Sequence, residues 1–133
     1  MCGIAGIWDF NNGSSGNLLA QEAADMANNI KSRGPDSFGC WVDEEIGIAL
    51  SHRRLAIQDL SNNGNQPFLS KSGRYVIVFN GEIYNHWLLR KDLLKDCTEK
   101  TLWKGNSDTE TLLACIEKWG LNLALERFKG MFS

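Results

Sequence analysis

What the sequence lacks narrows its function first. No apolar run in the 133 residues approaches the ~18 residues of a membrane span. No basic stretch followed by an apolar core opens the chain, so neither an anchor nor a secretory signal is indicated and a cytoplasmic protein is expected. Fourteen basic residues against 16 acidic ones leave a net charge of −2. Without an excess of clustered cations the chain offers no phosphate-binding face for nucleic acid, and a small or neutral partner fits better. Histidine is scarce, and none of the four cysteines, Cys2, Cys40, Cys97 and Cys115, forms a CxxC pair or stands at metal-ligand spacing from His52 or His86. That argues against a zinc site and a bound metal is not expected. Cys40 and Cys115 lie in apolar runs and read as small buried hydrophobes, and Cys97 lies in a charged stretch. There is no internal repeat, low-complexity tract or linker, and 133 residues against the ~150 of an average domain give about one domain.

What is present reads as mixed α and β. The opening MCGIAGIWDF suggests a strand that ends at the Asn11-Asn12-Gly13 turn. From Asn17, Leu19, Ala23, Met26, Ala27 and Ile30 recur at steps of three and four, the period of a helix with one buried stripe, which Gly34 and Pro35 stop. FGCWV at 38–42 and IGIALSHRRLAI at 46–57 read as an antiparallel hairpin. Residues 61–66 form a polar loop closed by Pro67. YVIVF at 75–79 is apolar on both faces and predicts a strand in the middle of a covered sheet. A helix over 84–94 is expected to bury Trp87, Leu88, Lys91 and Leu94 and to turn Arg90 and Asp92 away. Ser107 and Glu110 stand at capping-box spacing before a helix with a stripe of Leu112, Leu113, Ile116 and Trp119, ended by Gly120. Strands followed by mixed strands and helices predict an α+β layered sandwich.

Several residues could do chemistry. Removing Met1 would put a thiol and an α-amino group on one carbon at Cys2, giving nucleophile and base in a single residue. A penultimate cysteine can equally be inert. Asn80-Gly81, directly after the apolar strand, offers an amide side chain and an unhindered N–H for an oxyanion, or a simple strand-ending turn. Arg53 and Arg54 alternate on a strand, so one must face the covered side. A buried arginine needs an anion, either a structural carboxylate or that of a ligand. Asp108, in the first turn of a helix, suits the helix dipole or a ligand's ammonium group. His52 and His86 read as packing or surface residues, because no carboxylate at a telling spacing orients either.

The order of these signals is more specific than any one of them. MCGIAGI at the start, RGPD at 33–36, SHRRLAIQDLS at 51–61, NQP at 65–67, NGEIYN at 80–85 and SDTE at 107–110 together resemble the class II glutamine amidotransferase domain. Within that family the likeness is to the N-terminal glutaminase half of glutamine-hydrolysing asparagine synthetases, and it runs from Cys2 to about Phe132. The resemblance implies an N-terminal-nucleophile hydrolase fold, a four-layer αββα sandwich of antiparallel sheets. It implies Cys2 as the nucleophile on the glutamine side-chain amide, with Asn80, through its side chain, and Gly81, through its N–H, as the oxyanion hole. It further implies that Arg54 clamps the α-carboxylate, that Glu82 and Asp108 hold the α-ammonium, and that Ile57 lines the substrate through its backbone. No cofactor is implied for this domain. ATP and magnesium would belong to a synthetase domain in cis, for which no SGGxDS-type string occurs here.

Two rivals remain at this level. One is a glutamine-binding module without the chemistry, for which the retention of Cys2, Asn80 and Gly81 together has no use. The other keeps the glutaminase but passes ammonia to another acceptor, a sugar or a peptide. The apolar run in ERFKGMFS has no turn to finish it, so the domain is expected to be incomplete at its C-terminus. An unpaired strand edge there would favour pairing with a second copy.

Overall fold

Ser15 starts the first helix. Its hydroxyl accepts the Leu18 N–H and caps α1 (Gly16–Asn29), whose Leu19, Ala23 and Ala27 are fully buried. The computed structural model describes residues 2–57, 60–95 and 103–133. These form two compact units, the first running to Ala56 with Asn65–Pro67 and Val78–Asn80, the second made of Ile57–Gly64, Phe68–Ile77 and Gly81–Ser133.

In the first unit, β1 (Gly3–Trp8), β2 (Ser37–Asp43) and β3 (Ile48–Arg54) make an antiparallel sheet in the order β1-β3-β2. Gly3 stands opposite Arg53, and Gly39 opposite His52. The two-residue alternation of β3 sorts its side chains. Ala49 packs with Leu19 and Ala23 of α1, the Ser51 hydroxyl donates to the Ala23 carbonyl at 2.9 Å, and Arg53 Nε donates to the Ala27 carbonyl at 3.2 Å. His52 and Arg54 therefore serve the opposite face. Both arginines are buried, because the middle strand is covered on both sides, and the expectation that only one would be is corrected. Cys40 is also corrected: it stands opposite Ser51 on the edge strand β2 and is exposed. Gly39 has a packing reason, since a Cβ there would strike the Gln66 carbonyl oxygen.

In the second unit, β4 (Phe68–Leu69) and β5 (Val76–Ile77) pair antiparallel around the Ser72-Gly73 turn, and β6 (Gly81–Ile83) pairs with β7 (Gly130–Phe132). The strand expected over 75–79 keeps only Val76 and Ile77 in a ladder, and both are half-buried. Helix α3 (Asp108–Trp119) packs on α2 (His86–Lys95), α4 (Leu121–Arg127) and β6. Ser107 caps α3 as expected, its hydroxyl accepting the Thr109 N–H at 3.2 Å, and Gly120 ends it. Glu110 reaches the Lys104 and Gly105 amides at 2.9 and 3.2 Å.

The face of α2 differs from expectation. His86, Leu89, Arg90 and Leu93 are buried, while Trp87, Leu88 and Leu94 are exposed. Arg90 turns inward because Thr111 Oγ1 and the Ser107 and Gly105 carbonyls accept its donors at 2.7, 2.9 and 3.1 Å. Trp87 and Trp103 stack on its guanidinium. The class is α+β with antiparallel sheets, and among the described residues no helix is long and apolar enough to cross a membrane.

Candidate active site

Cys2 precedes β1, so its thiol sits at the sheet end where β3 finishes. The half-buried Sγ accepts the Leu55 N–H at 3.4 Å and lies 3.7 Å from the Leu55 carbonyl. Arg33 Nε donates to the Cys2 carbonyl at 3.2 Å. Asp36 braces the strand end beside it: its N–H donates to the Arg54 carbonyl at 3.0 Å and its carboxylate accepts the Ala56 N–H at 2.8 Å. The RGPD string thus fixes the backbone on both sides of Leu55, the residue that holds the thiol.

Arg54 is 8% exposed and lies next in sequence to Leu55. Its Nη1 donates to Asn65 Oδ1 at 2.9 Å, and the same oxygen accepts the Ser37 hydroxyl at 3.1 Å. Gln66 follows. Its Oε1 accepts the Phe79 N–H at 2.6 Å, while His52 Nε2 lies 3.2 Å from the Phe79 carbonyl. Phe79 leads directly into Asn80. Burial lowers the pKa of His52 and the Arg54 charge adds to that, while the bond to the Phe79 carbonyl opposes it; because a carbonyl only accepts, Nε2 is the donor. Neither Asn65 nor Gln66 had a role assigned from sequence. Their sequence signal is the NQP string at 65–67, which belongs to the family resemblance but by itself suits an ordinary loop.

The second unit carries the remaining candidates. Gly81 opens β6, where a Cβ would strike the Met131 carbonyl oxygen and Phe132 Cα, so no larger residue fits beside β7. Glu82 is exposed. Asp108 is 5% exposed, and its Oδ2 accepts the Ile83 N–H at 2.8 Å, joining α3 to β6. Burial raises the Asp108 pKa, the Ile83 N–H and the nearby His86 oppose the rise, and the Glu82 charge adds to it. His86 is buried and its pKa is lowered by burial, and its Nδ1 meets no hydrogen-bond partner among the described residues. Ile57 is 73% exposed. Cys115 is fully buried with its thiol pushed up to about 12, which leaves it inert as a nucleophile, and Cys97 lies outside the described residues. Among the described residues no three His, Cys, Asp or Glu side chains gather as metal ligands.

A half-buried thiol held by the residue that follows a buried arginine is compatible with several acyl-transfer chemistries. The family model for a glutamine amidotransferase domain matches residues 1–133. The chain belongs to this family. The chain is 37% identical over its whole length to asparagine synthetase [glutamine-hydrolyzing] 2 of Bacillus subtilis, covering 17% of that protein. It is 40% identical to asparagine synthetase [glutamine-hydrolyzing] 1 of the same organism and 31% identical to amidase chry2 of Gibberella zeae, in each case over the whole chain and 20% of the relative. The chain therefore spans about a fifth of the length of these relatives.

Proposed function

We propose that this domain hydrolyses glutamine to glutamate and ammonia through Cys2 once Met1 is removed. The observation that carries the reading is the Cys2 thiol held by the Leu55 backbone, one residue beyond the buried Arg54. The α-amine takes the thiol proton, and the thiolate adds to the glutamine side-chain carbonyl carbon. A C–S bond forms and the carbonyl electron pair moves onto oxygen. The Asn80 side chain and the Gly81 N–H donate to that oxyanion. The C–N bond then breaks, the proton held by the amine passes to the leaving nitrogen, and ammonia departs from a thioester. Water cleaves the thioester to glutamate and restores the thiol. Arg54 binds the α-carboxylate, Glu82 and Asp108 the α-ammonium, and Ile57 lines the substrate through its backbone. These roles are carried over from the family resemblance.

In the full-length protein the ammonia would pass to a synthetase domain in cis, where ATP and magnesium would bind, giving asparagine. That acceptor follows from the asparagine synthetases among the relatives. The similarity to a protein named as an amidase supports a second reading, in which the same glutaminase serves a different acceptor. An N-terminal-nucleophile fold is part of the proposal in either case. The test is glutamate release by protein whose intact mass shows Met1 removed, compared with a form that retains it. Activity only in the first supports the α-amine as base, and equal activity in both contradicts it.

A further inference from the structure

Phe79 lies between the last residue of β5 and the first of β6, outside any strand, yet it is only 4% exposed. Its two backbone polar groups are met by side chains from distant parts of the first unit: Gln66 Oε1 takes the N–H at 2.6 Å, and His52 Nε2 faces the carbonyl at 3.2 Å. His52 is 1% and Gln66 8% exposed, so water does not compete for either bond. The two anchors are themselves fixed. His52 lies in the middle strand of the sheet, between Ile4 and Gly39, and the Gln66 backbone rests on the bare Gly39.

We propose that Gln66 and His52 are positioning residues that clamp the two peptides flanking Phe79 and so aim the Asn80 side chain at the developing oxyanion. The Phe79 N–H belongs to the Val78–Phe79 peptide and its carbonyl to the Phe79–Asn80 peptide, so the two bonds together fix both peptide planes that meet at the Phe79 Cα and so the place from which Asn80 leaves the chain. A sheet ladder would do the same for a strand residue. Here side chains do it. An oxyanion donor acts through its distance from an atom that carries charge only in the transition state, so a small misdirection lowers turnover more than substrate binding. Arg54, on the same face of β3 as His52, is held separately by Asn65. Loosening the clamp should therefore spare the carboxylate contact.

The inference rests on the proposed glutaminase reading. Its test is Gln66→Met, which keeps the side-chain length and removes the acceptor, beside Gln66→Glu, which keeps an acceptor oxygen. The full chain with Met1 removed is assayed for glutamine hydrolysis, for Cys2 alkylation by iodoacetamide and for capture of the aldehyde analogue of glutamine. In that capture the Cys2 thiol adds across the carbonyl, its sulfur to carbon and its proton to oxygen, giving a thiohemiacetal whose oxygen occupies the oxyanion position.

Gln66→Met should lower kcat about 10- to 100-fold and weaken aldehyde capture to match, with KM and the alkylation rate within about twofold of the parent. Gln66→Glu should recover most of the loss. Unchanged kcat and aldehyde affinity in folded Gln66→Met overturns the positioning role. A loss shared equally by KM and alkylation also overturns it, because that marks general damage. If the parent neither hydrolyses glutamine nor captures the aldehyde, the glutaminase reading fails, and the clamp's proposed purpose fails with it.

Discussion

Arg54 Nη1 donates to Asn65 Oδ1 at 2.9 Å, and the Ser37 hydroxyl donates to the same oxygen at 3.1 Å. A guanidinium offers a planar fork, so fixing one nitrogen fixes the plane presented to a carboxylate. Asn65→Ala should raise KM for glutamine about tenfold, consistent with the roughly 1.5–3 kcal/mol of a hydrogen bond to a charged group. Turnover at saturation should change little. Steady-state kinetics with glutamine varied checks the split, and a fall in kcat with unchanged KM would contradict it.

Asp108 gives a pH dependence with a defined sign. Burial raises its pKa above the ordinary 3.8, with Glu82 adding to the rise and His86 and the Ile83 N–H opposing it. As pH falls through the raised value the carboxylate takes a proton and loses its attraction for an ammonium group. KM for glutamine should therefore climb at a higher pH than an ordinary carboxylate would give. For stability the raised pKa means that the folded state holds the proton more tightly. Its contribution is full below the unfolded value and is lost as pH rises through the folded one. Asp108→Asn should accordingly unfold at higher urea at neutral pH while binding glutamine more weakly. A variant less stable at neutral pH would contradict the sign.

Arg90 holds α2 against the start of α3. Its donors go to Thr111, Ser107 and Gly105, and its side chain is more buried than that of its ion-pair partner Glu110. Arg90→Met should cost about 3 kcal/mol, because it leaves buried acceptors and a carboxylate without their cation. Urea denaturation measures this, and a loss below about 1 kcal/mol would place the ordering of these loops elsewhere.

The cysteines should differ in reactivity. Cys115 is fully buried with its thiol raised to about 12, whereas Cys40 is exposed and Cys2 half-buried. Burial raises the Cys40 thiol too, so iodoacetamide at neutral pH should reach exposed Cys40 only slowly, label Cys2 and leave Cys115 untouched, as peptide mass mapping reads directly; labelling of Cys115 in folded protein would contradict this.

Where a regular period and one buried face coincide, the sequence is readable. The stripe from Leu19 to Ala27 and the hairpin over 38–57 match α1, β2 and β3 in type and nearly in extent. Periodicity misleads where polar groups are drawn inward. Arg90 is buried by acceptors supplied from around α3, and no rule for apolar spacing contains them. The run at 75–79 has strand composition, yet Phe79 is tied by His52 and Gln66, whose relation to it is purely tertiary. The candidate site shows the same division. Cys2 and Arg54 are legible as chemistry, while Asn65 and Gln66 read as loop until the fold sets them against Arg54 and Phe79. Helix α4 gave little signal because it follows Gly120 directly and fully buries only Ala124.

The central claim is that Cys2 is the nucleophile. The most direct measurement is glutamate release from glutamine by Cys2→Ala protein confirmed to be folded, beside the parent with Met1 removed. The account predicts hydrolysis by the parent and none above background by Cys2→Ala. Hydrolysis by folded Cys2→Ala at a rate near the parent's would contradict it.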